Sequence, residues 1–164
     1  MRRKVVRVSP PRESSLSSTA AASAAILIGG GDDETLTGTE RADLIVGHGD
    51  NDVLSGLGGN DRVRGGWGPD FARPVEGGDR LFGARDDDTV AGGNGDDRMG
   101  GGYGADSLNG GEGNDVLHAR ALDGTVDALD CGGGDRDKAF VRGEDTTVNC
   151  VKVTIVYGGS DAVA

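Results

Sequence analysis

Residues 92–118 read GGNGDDRMG GGYGADSLN GGEGNDVLH. Each of these three consecutive nine-residue lines opens with two glycines, places an aspartate sixth and an apolar residue eighth. The register runs back without insertion to Gly29, so that ten such lines fill residues 29–118. The sixth column holds Glu34, Asp43, Asp52, Asp61, Asp70, Asp79, Asp88, Asp97, Asp106 and Asp115. The eighth, from Leu36 to Leu117, is apolar throughout. The first is glycine in every line except the one that opens at Pro74.

Each column has a physical meaning. Glycine tolerates positive φ and close backbone approach, so a glycine-rich hexad predicts a tight turn. The three residues that follow, with one apolar centre, predict a very short strand. Alternate side chains of a strand point to opposite faces. The eighth residue is therefore expected inside, and the seventh and ninth, which include Thr35, Arg62, Arg80 and Arg98, outside. Two lines make one coil of 18 residues with two short sheets face to face, so each line stacks on the second line along. A repeat at this period reads as a solenoid.

The composition agrees with a repeat better than with a conventional core. Glycine accounts for 32 of 164 residues and only six residues are aromatic. The net charge is −11, and residues 29–118 carry 19 acidic against 7 basic side chains. Such a chain is a poor binder of nucleic acid, which is held by neutralising phosphates, and a good binder of cations.

Stacked turns bring sixth-column carboxylates to about the strand spacing of 4.8 Å. Two unit charges at that distance repel by about 3 kcal/mol at an effective dielectric near 20. A divalent cation between turns reverses the sign of that interaction. Oxygen donors alone, carboxylate and carbonyl, favour Ca²⁺ over Mg²⁺, which demands a small octahedral shell. The Cys/His spacing of a zinc site is absent.

These lines resemble the G-G-x-G-x-D-x-U-x nonapeptide of the RTX, or haemolysin-type, calcium-binding repeat family. The resemblance covers residues 29–118 and implies an all-β, right-handed parallel β-roll of about ten repeats, with several Ca²⁺ ions between turns. It implies as carboxylate ligands Asp52, Asp61, Asp97, Asp106 and Asp115, then Asp70 and Asp88. Asp43 and Asp79 are expected to be weaker, because Thr39-Glu40-Arg41-Ala42 and Pro74-Val75-Glu76 replace the usual glycines. Glu34 is longer than aspartate and stands at the end of the stack.

The flanks complete the expected organisation. The basic start MRRKVVRVSPPR and the apolar AAASAAILI resemble an export signal over residues 1–25, with a disordered basic tail as the alternative. Residues 26–118 form the calcium-binding roll. In residues 119–164 the repeat decays: Asp127 to Cys131 and Gly132 to Phe140 look like degraded lines, and Val151, Val153, Ile155 and Tyr157 alternate as a terminal strand. This segment is expected to cap the roll. Cys131 and Cys150 are expected to pair in an oxidising compartment. No run of 18 apolar residues predicts a transmembrane helix.

The functional expectation is a secreted, non-catalytic calcium-binding repeat protein in which Ca²⁺ drives folding. The alternative is a calcium-stiffened adhesion or cell-surface module. A detached repeat domain of an RTX enzyme fits less well, since neither HExxH nor GxSxG occurs and no Cys or Ser is arranged around His48 or His118. Trp67 and Tyr103 share the third place of odd lines, on one edge and two coils apart, where they serve either as ligand contacts or as incidental exposed rings.

Overall fold

The computed structural model describes residues 5–7, 15–17, 23–119 and 123–156. Most of the expected export signal and Tyr157 lie outside these residues. Among the described residues there is no helix, and seventeen strands form two parallel sheets of nine and eight strands. Consecutive strands alternate between the sheets, so each sheet is built from every second strand. Within the repeat the register offset is 18 residues: Leu54 pairs with Leu36 and Met99 with Leu81. The line therefore stacks on its second successor, and the fold is a parallel β-roll.

Most strands of the repeat are longer than three residues. Val53–Leu57 and Ser107–Glu112, for example, begin at the seventh place and run through the first two or three places of the next line. Their exposure pattern shows why. The eighth residue is buried, the ninth half-buried or exposed, and the first residue of the next line buried again. The opening glycine is thus a second inward position of the strand and not part of the turn. Phe71–Ala72 is the shortest at two residues. Pro74 follows it, and a residue without an N–H cannot continue the ladder.

The core is one apolar residue wide. Every eighth-column side chain from Leu36 to Leu117 is at most 3% exposed, and Leu27, Leu129 and Ala139 extend the stack at its ends. So narrow a core contributes little for its length, which leaves a large share of the stability to what lies beside it.

The coil does not stop at His118. Ala128–Asp130 pairs with Ser107–Glu112, and Lys138–Val141 with Val116–His118. Residues inserted after Ala119 lengthen the offset to 21 or 22 before coiling resumes. Thr146–Val148 and Lys152–Ile155 add the last strands. Val153 and Ile155, which alternate along the last strand, remain 43% and 45% exposed, because no later described coil lies over them. At the other end, Val5–Arg7 pairs with Ile26–Ile28 and Ser15–Ser17 with Thr35–Thr39.

Candidate metal centre

The sixth-column aspartates point inward, under the strand that follows, and not along an outer edge. Asp43 through Asp115 are all at most 4% exposed. The first-place glycine makes room for them. A β-carbon on Gly47, Gly56, Gly65, Gly83, Gly92, Gly101 or Gly110 would collide with Oδ2 of the aspartate five residues on. Glycine is favoured at the second and fourth places for a different reason. Gly66 and Gly104 have φ of 146° and 121°, in the region that favours glycine. His48 and Ala84 adopt φ of 92° and 109° at second places, so the neighbouring coils impose the turn even without glycine.

Each aspartate uses one oxygen to tie two coils together. The backbone N–H of Asp52 donates to Oδ1 of Asp70 at 2.9 Å, Asp70 to Asp88 at 2.8 Å, and Asp88 to Asp106 at 2.9 Å. A second ladder runs up the other edge, where Asp61 donates to Asp79, Asp79 to Asp97 and Asp97 to Asp115 at 2.7–2.9 Å. Carboxylates so held cannot splay into water.

The other oxygen is left over. Oδ2 of Asp52, Asp61, Asp70, Asp79, Asp88, Asp97, Asp106 and Asp115 is buried and accepts no hydrogen bond among the described residues. A single unsatisfied buried polar atom costs about 1–3 kcal/mol, and here eight recur in register. Backbone carbonyls converge on the same places. Asp52 Oδ2 and the carbonyl of Gly65 both face Gly47, Asp70 Oδ2 and the Gly83 carbonyl face Gly65, and Asp97 Oδ2 and the Gly110 carbonyl face Gly92.

The electrostatics follow from this placement. Burial, the largest cause, raises the carboxyl pKa of Asp88 to about 8 and of Asp52, Asp61, Asp97 and Asp106 to about 7. Asp70, Asp79 and Asp115 rise to about 6 for the same reason. The ladder hydrogen bond opposes each rise. Repulsion from coil neighbours, Asp70 on Asp52 and Asp106 on Asp88 among them, adds to several. Desolvation therefore outweighs the charge–charge repulsion that the spacing alone suggests.

An oxygen-only cation fits this donor set. Among the described residues no three Cys, His, Asp or Glu side chains converge as a metal-binding group, so an ion here would draw on a carboxylate oxygen from the ladder together with backbone carbonyls. That is the chemistry of a hard divalent cation.

Departures from the repeat change individual positions. At Asp43 the second-place residue is Thr39, whose N–H donates to Oδ2 at 2.6 Å and whose hydroxyl lies 3.1 Å from both carboxylate oxygens. Asp43 thus has no orphaned oxygen. Asp79, in the line opened by Pro74, retains one. Glu34 accepts from its own Gly30 N–H at 3.1 Å.

Three ladder members lie beyond the regular register. Asp127 accepts the Asp106 N–H, Asp137 that of Asp115, and Asp145 that of Asp127. Asp137 also carries an orphaned Oδ2, and burial raises Asp127 to about 6. For Asp127 and Asp137 the signal in the sequence was Asp-Ala-Leu and Asp-Lys-Ala, an aspartate two residues before an apolar one, set out of register by the insertion, whereas Asp145 precedes two threonines. An exposed ladder also escaped the column reading: fifth-place Asp33, Asn60, Asp87 and Asp96 accept backbone N–H groups from the neighbouring coil at 2.8–3.0 Å.

Cys131 and Cys150 form a disulfide with Cα atoms 5.0 Å apart, joining neighbouring coils at the end of the second sheet. Trp67 and Tyr103 are 60% and 57% exposed. His118 stacks on Phe140 with ring centroids 4.8 Å apart. Among the described residues no helix is long and apolar enough to cross a membrane.

A parallel β-roll whose two interior carboxylate ladders each leave one oxygen per coil without a donor offers a cation a regular series of oxygen donors. Residues 28–63, 37–72, 75–106 and 101–126 match the family model of the RTX calcium-binding nonapeptide repeat, together more than half of the chain. The chain belongs to that family. No curated protein and no solved structure is significantly similar to it.

Proposed function

We propose that the protein is an exported, non-catalytic calcium-binding roll whose folding is driven by Ca²⁺. The observation that carries this reading is the recurrence of a buried, unpartnered Oδ2 at eight consecutive sixth places from Asp52 to Asp115. Those eight aspartates would hold the ions, Asp79 on the same footing as the rest and Asp43 excluded because Thr39 already satisfies it. A bound Ca²⁺ supplies two positive charges to a place where buried carboxylates must otherwise be protonated or unpaired.

The chain's own residues do the remainder. The opening glycines keep Oδ2 accessible to the space between coils. The Oδ1 ladder fixes each carboxylate, so little side-chain freedom remains to be lost on binding. A site at about 100 times its dissociation constant adds about 2.7 kcal/mol to stability, and several in series are enough to convert a marginal repeat into a folded one. Low calcium before export and high calcium after it would then time the folding. The disulfide is consistent with an oxidising destination.

The test is far-UV circular dichroism of the purified chain. Millimolar Ca²⁺ is expected to convert a coil spectrum into a strand spectrum, reversibly with EDTA. A strand spectrum of full amplitude in EDTA at pH 8 would overturn the reading.

A further inference from the structure

In the outward seventh-place column of the strands, cations occur on one sheet only. On the outer surface of the nine-stranded sheet, Arg62, Arg80 and Arg98 stand in direct register on successive coils. Val116 interrupts the row, and Lys138 and Lys152 continue it. All five cations are exposed. The same column of the other sheet, from Thr35 to Thr146, contains no charge. A charge row that merely kept the protein soluble would have no reason to avoid one sheet.

Beside the row lies an open cleft of about 620 Å³. Gly100 and Gly102, lacking side chains, form part of its lining, and the Arg64 guanidinium sits 5.7 Å above the Phe82 ring within it. Its rim carries Trp67, Arg85 and Tyr103 at the third place of consecutive odd lines, all three exposed. At one coil per strand spacing, the two rings stand about 10 Å apart with an arginine between them.

We infer that this face of the roll binds a linear carboxylated polysaccharide. Evenly spaced arginine forks match a polymer with a carboxylate on every unit, because guanidinium and carboxylate pair through two parallel hydrogen bonds. Flat exposed rings alongside match the apolar faces of pyranose units. Nucleic acid also offers periodic charge and stackable faces. Along a duplex strand, however, the phosphates follow one another at about 3.4 Å along the axis, out of step with guanidinium groups about 4.8 Å apart, and the oligothymidylate below tests a single strand. The inference requires the calcium-loaded roll of the preceding section and says what its outer face does.

Trp67 is the sole tryptophan, so its fluorescence reports on the cleft. The full chain, loaded with calcium, is titrated with a short oligogalacturonate, a neutral maltooligosaccharide and a single-stranded oligothymidylate. A saturable response to the oligogalacturonate alone is expected. In the triple variant Arg62→Gln, Arg80→Gln, Arg98→Gln, affinity should fall at least about tenfold. The control Arg73→Gln, an exposed arginine on the other sheet, should bind as the parent does. An equal or stronger response to the oligothymidylate overturns the inference, as does binding that survives the triple substitution through calcium bridging to the acidic turns. Circular dichroism of the same samples separates the two readings. A folded roll with no response sinks the polysaccharide surface alone, whereas a chain still coiled in calcium sinks the calcium reading first.

Discussion

Gly83 shows what one missing side chain permits. Its inward hydrogen faces Asp88 Oδ2, and any β-carbon there would strike the carboxyl group. Gly83→Ala is expected to destabilise the calcium-loaded roll by about 1–3 kcal/mol, the usual cost of overpacking, and to remove at least one bound ion by calorimetry. Gly31→Ala serves as the control: nothing lies within 4 Å of its added methyl, and its midpoint should move by less than about 0.5 kcal/mol. Asp97→Asn tests the carboxylate itself. The amide oxygen can still accept the Asp79 N–H, and its NH₂ group can reach the Gly110 carbonyl that faces the same glycine. The variant should therefore be more stable than the parent in EDTA at pH 8 and less stable in calcium. Denaturant midpoints of the same sign in both buffers would refute the assignment of Asp97 as a ligand.

Along each ladder the carboxyl groups titrate in a direction opposite to that of an ion-paired acid. Their folded-state pKa values, about 6 to 8, lie above the unfolded value near 3.9. Metal-free stability from these groups is therefore fully present below about pH 4 and is lost as pH rises through 6–8. In EDTA the strand signal should be larger at pH 5 than at pH 8. Calcium affinity should run the other way, because the ion competes with protons for the same oxygens. The end elements answer to a different constraint. The Cys131–Cys150 bridge closes a loop of 19 residues around Lys138–Val141 and Thr146–Val148, worth about 3 kcal/mol in the chain-entropy picture. Reduction in calcium should raise amide exchange in those strands while Val53–Leu57 through Ser107–Glu112 stay protected. Uniform loss of protection would mean that the whole roll unfolds as one unit.

For the molecule as a whole, stability is distributed along an axis. Each coil touches chiefly the coils before and after it, so ions and coils form in a nearest-neighbour series. Removal of one interior ion should lower the folded fraction of adjacent coils most, and calcium-induced folding should be cooperative, with a Hill coefficient above one in a circular dichroism titration. The same axis gives the cation row on the nine-stranded sheet its even spacing, since register transfers a sequence period of 18 into a spatial period of one coil.

The nonapeptide period alone determined the two sheets, the inward eighth column and the stacking of each line on its second successor, because residue alternation and strand spacing leave no other way to bury one apolar residue in nine. It also marked every sixth-place carboxylate that the structure gathers into ladders between residues 52 and 115. Tertiary structure decided which way those carboxylates face. The sequence shows an aspartate after a turn, and only the closed coil reveals that the opening glycine of the same line vacates the interior position the carboxylate takes. It likewise decided that Thr39 satisfies Asp43, that Asp127, Asp137 and Asp145 rejoin the ladder after an insertion, and that Arg62, Arg80 and Arg98 stand in one row. Each depends on a contact across 18 or more residues or on the geometry of a closed turn, which a period along the chain does not by itself specify.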